Sequence, residues 1–589
     1  MKIYRQLPLS IIAAIAVVQS APAQTWTPVK NVPNIGAGAP ILMLDGTVLI
    51  HDADAIDWYK LSPDIKGSYA NGTWTKLASS ASNYGPLYYA SQVLNDGRIV
   101  VIGGEYNLSN TATWSNLGEI YDPYTNVWSK LNAPTGWSQV GDAQSIIFPN
   151  GTLMLAYINN SGADAILNAT TLAWNEVGTG KADGNDEEGW TLLPDGSVLT
   201  VDVGDEPAAE RFVPSLGTSG EWISAGNLIH NIVDVTDGEV GPAVLGYDGK
   251  VYAMGGNGYN AIYTPPATES ATGTWVQGPD FPVEPTSRRP YDMADAPMCI
   301  LPNGQMLAFA SPGYGKTPAQ FFLYNTTAKT LTKVAGTANT PTDSSYYGNM
   351  LLLPSGQVLF CDNSNDIELY TPAGAPQNAW RPTLNQFAGT YLQGQTYTIT
   401  GTQFNGLSGG SAYGDDFQNA TNYPMVRFTN LASGDVTYCR MTGFSTRGVA
   451  TGSANVSATF LVPASTPTGP STIEVVANGI PSAKANVTIG TNGPISAFSV
   501  SPTSVVGGAN SDGIVDLKTA AGASGVTVTI TSSSPDVTVQ PALRILSGKT
   551  FGSFPIKTKT VTTSTKVTIT VTDGTSTIEQ NLTLTPSTT

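Results

Sequence analysis

Seven times along the chain a short apolar run breaks at a tight turn ending in glycine and then resumes as a second apolar run. The copies read LMLDGTVLI, VLNDGRIVVIGG, IFPNGTLML, LLPDGSVLTV, VLGYDGKVYAMGG, ILPNGQMLAF and LLPSGQVLF. Their turn glycines are Gly46, Gly97, Gly151, Gly196, Gly249, Gly304 and Gly356, spaced by 51, 54, 45, 53, 55 and 52 residues. A repeat of about 50 residues with paired strands predicts one four-stranded blade per copy, hence a seven-bladed β-propeller. Such a ring brings equivalent residues to one axis however far apart they lie in sequence.

Each strand pair is followed by a third strand, such as EIYDP from Glu119 or AIYTP from Ala261, and then by a segment carrying tryptophan. Trp74, Trp128, Trp174, Trp222, Trp275 and Trp380 mark these outer segments, and LTKVAG in blade six lacks one. Trp26 in TWTPV is an extra copy, so either it or the Trp380 segment closes blade seven. Alternating apolar residues with no competing helical period make the chain all-β. The period is that of the kelch class.

At 589 residues the chain needs several cores. Residues 1–23 combine Lys2 and Arg5, an apolar stretch over Ile11–Val18 and Ala21-Pro22-Ala23, the pattern of a secretory signal too short to span a bilayer. The propeller is expected over 24–384. Beyond it the repeat stops, and strands such as TYTIT and STIEVVANG predict a β-sandwich over 385–490. After the linker at Gly493-Pro494, a Thr/Ser/Val-rich alternation predicts a second immunoglobulin-like sandwich over 491–589.

Only 12% of residues are charged and the net charge is −17, which argues against nucleic-acid and anionic-membrane partners. No other run is long and apolar enough to span a membrane, so an exported location follows: secreted, periplasmic or at the cell surface. Three cysteines, Cys299, Cys361 and Cys439, cannot build a disulfide framework, and the first two lie within apolar strand patterns. Only two histidines exist, His51 and His230.

Counting nine residues back from each turn glycine reaches the start of the inner strand, at one mouth of the axial channel. This places Tyr88, Asp142, Glu187, Asp295 and Tyr347 there, and their neighbours add Tyr89, Glu188, Glu239 and Tyr346. Blades three to six thus each offer a carboxylate at similar height, flanked by tyrosines. Carboxylates accept hydrogen bonds from sugar hydroxyls or ligate a hard cation such as calcium, and tyrosine rings stack on sugar faces. The same carboxylates could also be solvated strand ends or accept backbone amides of the next blade. Asp52/Asp54/Asp57 and Asp202/Asp205/Glu206 read as loop ends, and Asp415-Asp416 as a turn.

The repeat glycines, the exported context and the segments GLSGGSAYGDDFQNATNYPMVRFTNLASGDVTYCR and VPASTPTGPSTIEVVANGIPS resemble the galactose oxidase/glyoxal oxidase family over roughly 25–490. That resemblance implies a seven-bladed kelch propeller followed by an early-set immunoglobulin-like domain. It also implies a copper held by two tyrosines and two histidines, one tyrosine being cross-linked to a cysteine. Tyr88 stands where the cross-linked tyrosine falls, and Tyr346 where the axial tyrosine falls. Tyr347 occupies the place of the first histidine, MTGFSTRGVATG (with Phe444) offers no second one, and NIGAGAPILM holds no cysteine. Copper is therefore not expected. The expected function is non-catalytic binding of a carbohydrate or cell-surface ligand at the acid–tyrosine mouth. A glycan hydrolase or lyase using those carboxylates or a divalent cation is the alternative, and a copper oxidase the third.

Overall fold

The seven turns are built alike. Each turn glycine holds φ between 79° and 89°, a left-handed conformation that a side chain resists. Its amide donates to the carbonyl three residues back, as in Gly46 to Met43 and Gly356 to Leu353. The preceding Asp, Asn or Ser side chain accepts the amide just beyond, from Asp45 with Thr47 to Ser355 with Gln357. These local bonds fix the hairpin register before any long-range contact forms.

The computed structural model describes residues 24–158, 162–414, 420–491, 493–521 and 524–587. The signal-like segment and Asp415-Asp416 lie outside the described residues. Seven four-stranded antiparallel sheets follow one another, beginning with Ala37–Leu42, Val48–Asp52, Trp58–Ser62 and Thr73–Lys76. Inner strands of successive blades touch, and the ring closes where Ala37–Leu42 meets Asn349–Leu352. Blade seven takes its outer strand from the front of the chain: Thr25–Pro28 pairs antiparallel with Glu368–Thr371. Trp26 packs on Phe321, Tyr370 and Phe360 at centroid distances of 4.7, 5.1 and 5.9 Å. Trp380 instead sits in a short 3-10 turn, Asn378–Trp380, its ring against Tyr247. It is not an outer strand, since the edge it would have paired is already occupied.

Two sandwiches follow. The first pairs a sheet containing Thr396–Thr402 and Val456–Leu461 with one containing Met425–Asn430 and Gly469–Ala477. Its core runs into that of blades one, two and seven. The second, from Ile495–Ser501 to Thr577–Thr585, has a core of its own. Among the described residues there is no α-helix, and no helix long and apolar enough to cross a membrane. The three cysteines are buried free thiols, as the apolar surroundings of Cys299 and Cys361 led us to expect.

One segment of the first sandwich leaves it and enters the ring. Ser411–Ala412 adds to the inner strand of blade six, pairing with Cys299 and Met298. The Ser411 hydroxyl donates to the Met350 carbonyl of blade seven at 3.0 Å, and the Tyr413 hydroxyl to the Tyr346 carbonyl at 2.7 Å. A cavity of only about 40 Å³ remains between Ser408–Ala412 and the inner strands of blades two to five. This segment therefore forms a floor within the ring, beneath the mouth.

Candidate functional site at the axial mouth

Inner strands start, and second strands end, at the same mouth, because the pair is antiparallel. Glu187, Glu239 and Asp295, drawn from three consecutive blades, bring carboxylate oxygens within 4.8 Å of one another. Glu239 is buried, while Glu187 and Asp295 are half-buried. Three mouth residues hold left-handed backbone: Tyr88 at φ 53°, Glu187 at 57° and Asp295 at 43°. Each such residue costs on the order of 1–2 kcal/mol, and strain of this kind concentrates at binding sites.

Aromatic side chains stand beside these acids. Tyr346 lies on Tyr347 at 4.1 Å and beside Tyr314 at 5.8 Å; Tyr88 lies 6.2 Å from Tyr106 and 6.3 Å from Tyr413. Burial pushes the Tyr314 phenol well above its ordinary value, and Asp295, Glu239, Glu105 and Glu187 push it further. Burial also takes Tyr106 up to about 12, helped by Glu105, Asp142 and Asp295. The Tyr314 and Tyr106 phenols therefore keep their protons at neutral pH. Asp142 is buried on the Tyr106 side of the mouth.

The floor comes up to meet the acids. A Cβ at Gly414 would stand 2.7 Å from Asp295 Oδ1 and 3.1 Å from the Val240 carbonyl, so only glycine lets the entering segment pass there. The segment that arrives is Ser411–Gly414, not MTGFSTRGVATG. Arg447, from the latter, instead reaches the far end of blade two, donating to the Val93 carbonyl at 3.2 Å and Asn95 Oδ1 at 3.1 Å.

Two residues expected at the mouth are elsewhere. Tyr89 is buried in the core, its hydroxyl donating to His51 Nδ1 at 3.2 Å while Nε2 donates to the Ala55 carbonyl at 2.8 Å. Glu188 is fully buried in blade four, accepting from Lys181 at 3.0 Å and Thr200 at 2.9 Å. Each follows a residue in left-handed backbone just outside a strand, Tyr88 or Glu187, and a count along the chain fixes height but not the side on which a residue lies. Glu105, Tyr106, Tyr314 and Tyr413 escaped the sequence reading. The first three follow second strands, so counting forward from the turn glycines, as well as back, finds them.

The mouth does not fit a copper centre. Tyr88 and Tyr346 are present, but imidazole is absent from the wall. His51 stacks on Trp58 at 4.1 Å in blade one, where burial lowers it to about 4, and His230 stacks on Tyr259 at 5.2 Å. The donors gathered here are carboxylate and phenol oxygens, which suit hard cations or hydroxyl groups rather than cupric ion.

A family model described as a kelch motif matches residues 86–135, which span blade two. The kelch-like protein terF of Aspergillus terreus is 25% identical over 242 residues, covering 37% of this chain and 49% of that protein. An uncharacterized protein of Methanocaldococcus jannaschii is 24% identical over 172 residues, covering 28% of this chain and 46% of that one. The chain thus spans about half the length of the curated relatives it matches. Among solved structures, a fungal alcohol oxidase of the AA5 family in complex with copper is similar at a TM-score of 0.45 and 13% identity, over 80% of this chain and 99% of that one. The chain thus carries a kelch motif in blade two of a seven-bladed propeller that is followed by β-sandwiches.

Proposed function

We propose that this protein is an exported, non-catalytic binding protein whose axial cup takes a carbohydrate or a similar hydroxyl-rich group of a cell surface. The observation that carries this is the meeting of Glu187, Glu239 and Asp295 beside the Tyr346–Tyr347–Tyr314 cluster. Carboxylates accept from sugar hydroxyls in pairs, protonated phenols donate to ring and glycosidic oxygens, and the ring faces offer apolar stacking. The left-handed backbone at Tyr88, Glu187 and Asp295 supports the same reading, since strain held at three equivalent positions suits a preformed site. With a closed floor, the cup suits the end of a glycan chain rather than its middle.

The test is a glycan array with the full chain, repeated with the double variant E187Q/E239Q. Binding of a defined terminal sugar by the parent, lost in the double variant, supports the reading. Undiminished binding by the double variant places the site elsewhere, and release of a cleaved sugar makes the cup a hydrolase or lyase site.

A further inference from the structure

A second group of acids lies inside blade four, away from the cup. Asp183 precedes the blade, Asp202 directly follows its second strand, Val198–Val201, and Glu210 lies in its third, Ala208–Val213. One oxygen from each falls within 4.8 Å of the others. Lys181, its side chain fully buried, donates to Asp183 at 2.6 Å, Glu188 at 3.0 Å and Glu210 at 3.2 Å. An ammonium has three hydrogens, and these three bonds use them all. The remaining acceptors are also served: Asp183 Oδ2 takes the Gly204 amide, Glu188 Oε2 the Thr200 hydroxyl, and Glu210 the Ala182 amide.

Asp202 is the exception. It is 0% exposed, and neither of its carboxylate oxygens has a hydrogen-bond donor. Four carboxylates thus surround one ammonium, and one of the two fully buried among them, Asp202, has no hydrogen-bond donor. A buried carboxylate in that position calls for a proton, an ordered water or a cation to offset its charge.

We propose that Asp183, Asp202 and Glu210 form a calcium site. All the donors are hard oxygens, and an ion with bonds of about 2.3–2.6 Å can reach three oxygens within such a span, with water completing the shell. Asp183 is the way in: its side chain is 9% exposed, and the exposed Asp205 lies beside Asp202 along the chain. Two of the three ligands keep their bonds to Lys181 and the backbone, so the site exists before the ion arrives.

The experiment uses the full chain stripped with chelator at pH 7.5 and titrated with calcium chloride by calorimetry, with thermal melts in parallel. The parent should bind one calcium dependent on Asp202 and melt higher as calcium rises. D202N should retain the chelator-treated melting temperature and lose at least tenfold in affinity. D183N, on the rim, should lose affinity similarly, and it decides the matter if D202N does not fold. E187Q, in the cup, should leave this binding unchanged. The proposal is overturned if the parent ignores millimolar calcium, if D202N or D183N binds as the parent does, or if E187Q abolishes the binding.

Discussion

Replacing Trp26 tests how the ring is closed. Its indole packs on Phe321, Tyr370 and Phe360, and its N–H donates to the Ala335 carbonyl at 2.8 Å, so one residue ties the first strand to blades six and seven. Burying and then deleting a tryptophan costs roughly 3–5 kcal/mol. Trp26 is only half-buried, so about 3 kcal/mol is the expected loss for Trp26→Ala. Trp26→Phe keeps the ring contacts and loses the hydrogen bond, about 1 kcal/mol. The propeller and first sandwich share a core and should unfold together. At roughly 2 cal/mol/K per residue their unfolding entropy is about 1 kcal/mol/K, so the melting point should fall by about 3 °C for alanine and about 1 °C for phenylalanine. Scanning calorimetry supplies an internal control, because the C-terminal sandwich has a separate core and its transition should not move. Equal shifts for the two variants, or a shift of the C-terminal transition, would refute the closure argument.

Four further outcomes follow from the geometry. Gly414→Ala drives a methyl group against Asp295 and the Val240 carbonyl, and should destabilise by roughly 1–3 kcal/mol in denaturant titration while weakening any cup ligand. In a glycan-binding assay, Glu239→Gln should weaken the ligand at least tenfold, whereas Tyr89→Phe, in the core beside His51, should leave affinity unchanged. Copper added to the chain should give neither a charge-transfer band nor a radical signal. Blade seven gathers Asp343, Asp362, Asp366 and Glu368 without a lysine; burial first, then these neighbours, takes Asp343 up to about 7 and Glu368 up to about 8. Folded-state values above the unfolded ones mean the folded protein holds extra protons. Their stabilisation is complete in acid and is lost as pH rises through 7 to 8. Thermal melts from pH 6 to 9 should show this decline, and Glu368→Gln should flatten it.

The ring was legible because its signal is local: a glycine with a side-chain cap at each turn needs no distant partner to be recognised. The cup was legible in part, because blade symmetry turns offsets of about nine or ten residues back from Gly196, Gly249 and Gly304 into proximity of Glu187, Glu239 and Asp295. Glu188 and Tyr89 were misplaced because an offset fixes height but not the side of the strand. Tyr413 was invisible for another reason. It reaches the mouth through a pairing between residues 298 and 412, and nothing within the loop specifies which ring wall it will join. The blade-four acids likewise come from three separate elements, and only Asp202 stood out in the sequence.

The threaded segment Ser411–Gly414 gives the cup two independent authors. The wall is written by seven repeats whose spacing is fixed by the demand that the ring close. The floor is written by one excursion from a different domain, which needs only a short strand pairing, a glycine and a place for Tyr413. Insertions and exchanges in that excursion can therefore reshape the bottom of the site while every blade stays in register. A scaffold of this kind can change what it accepts by altering a few consecutive codons.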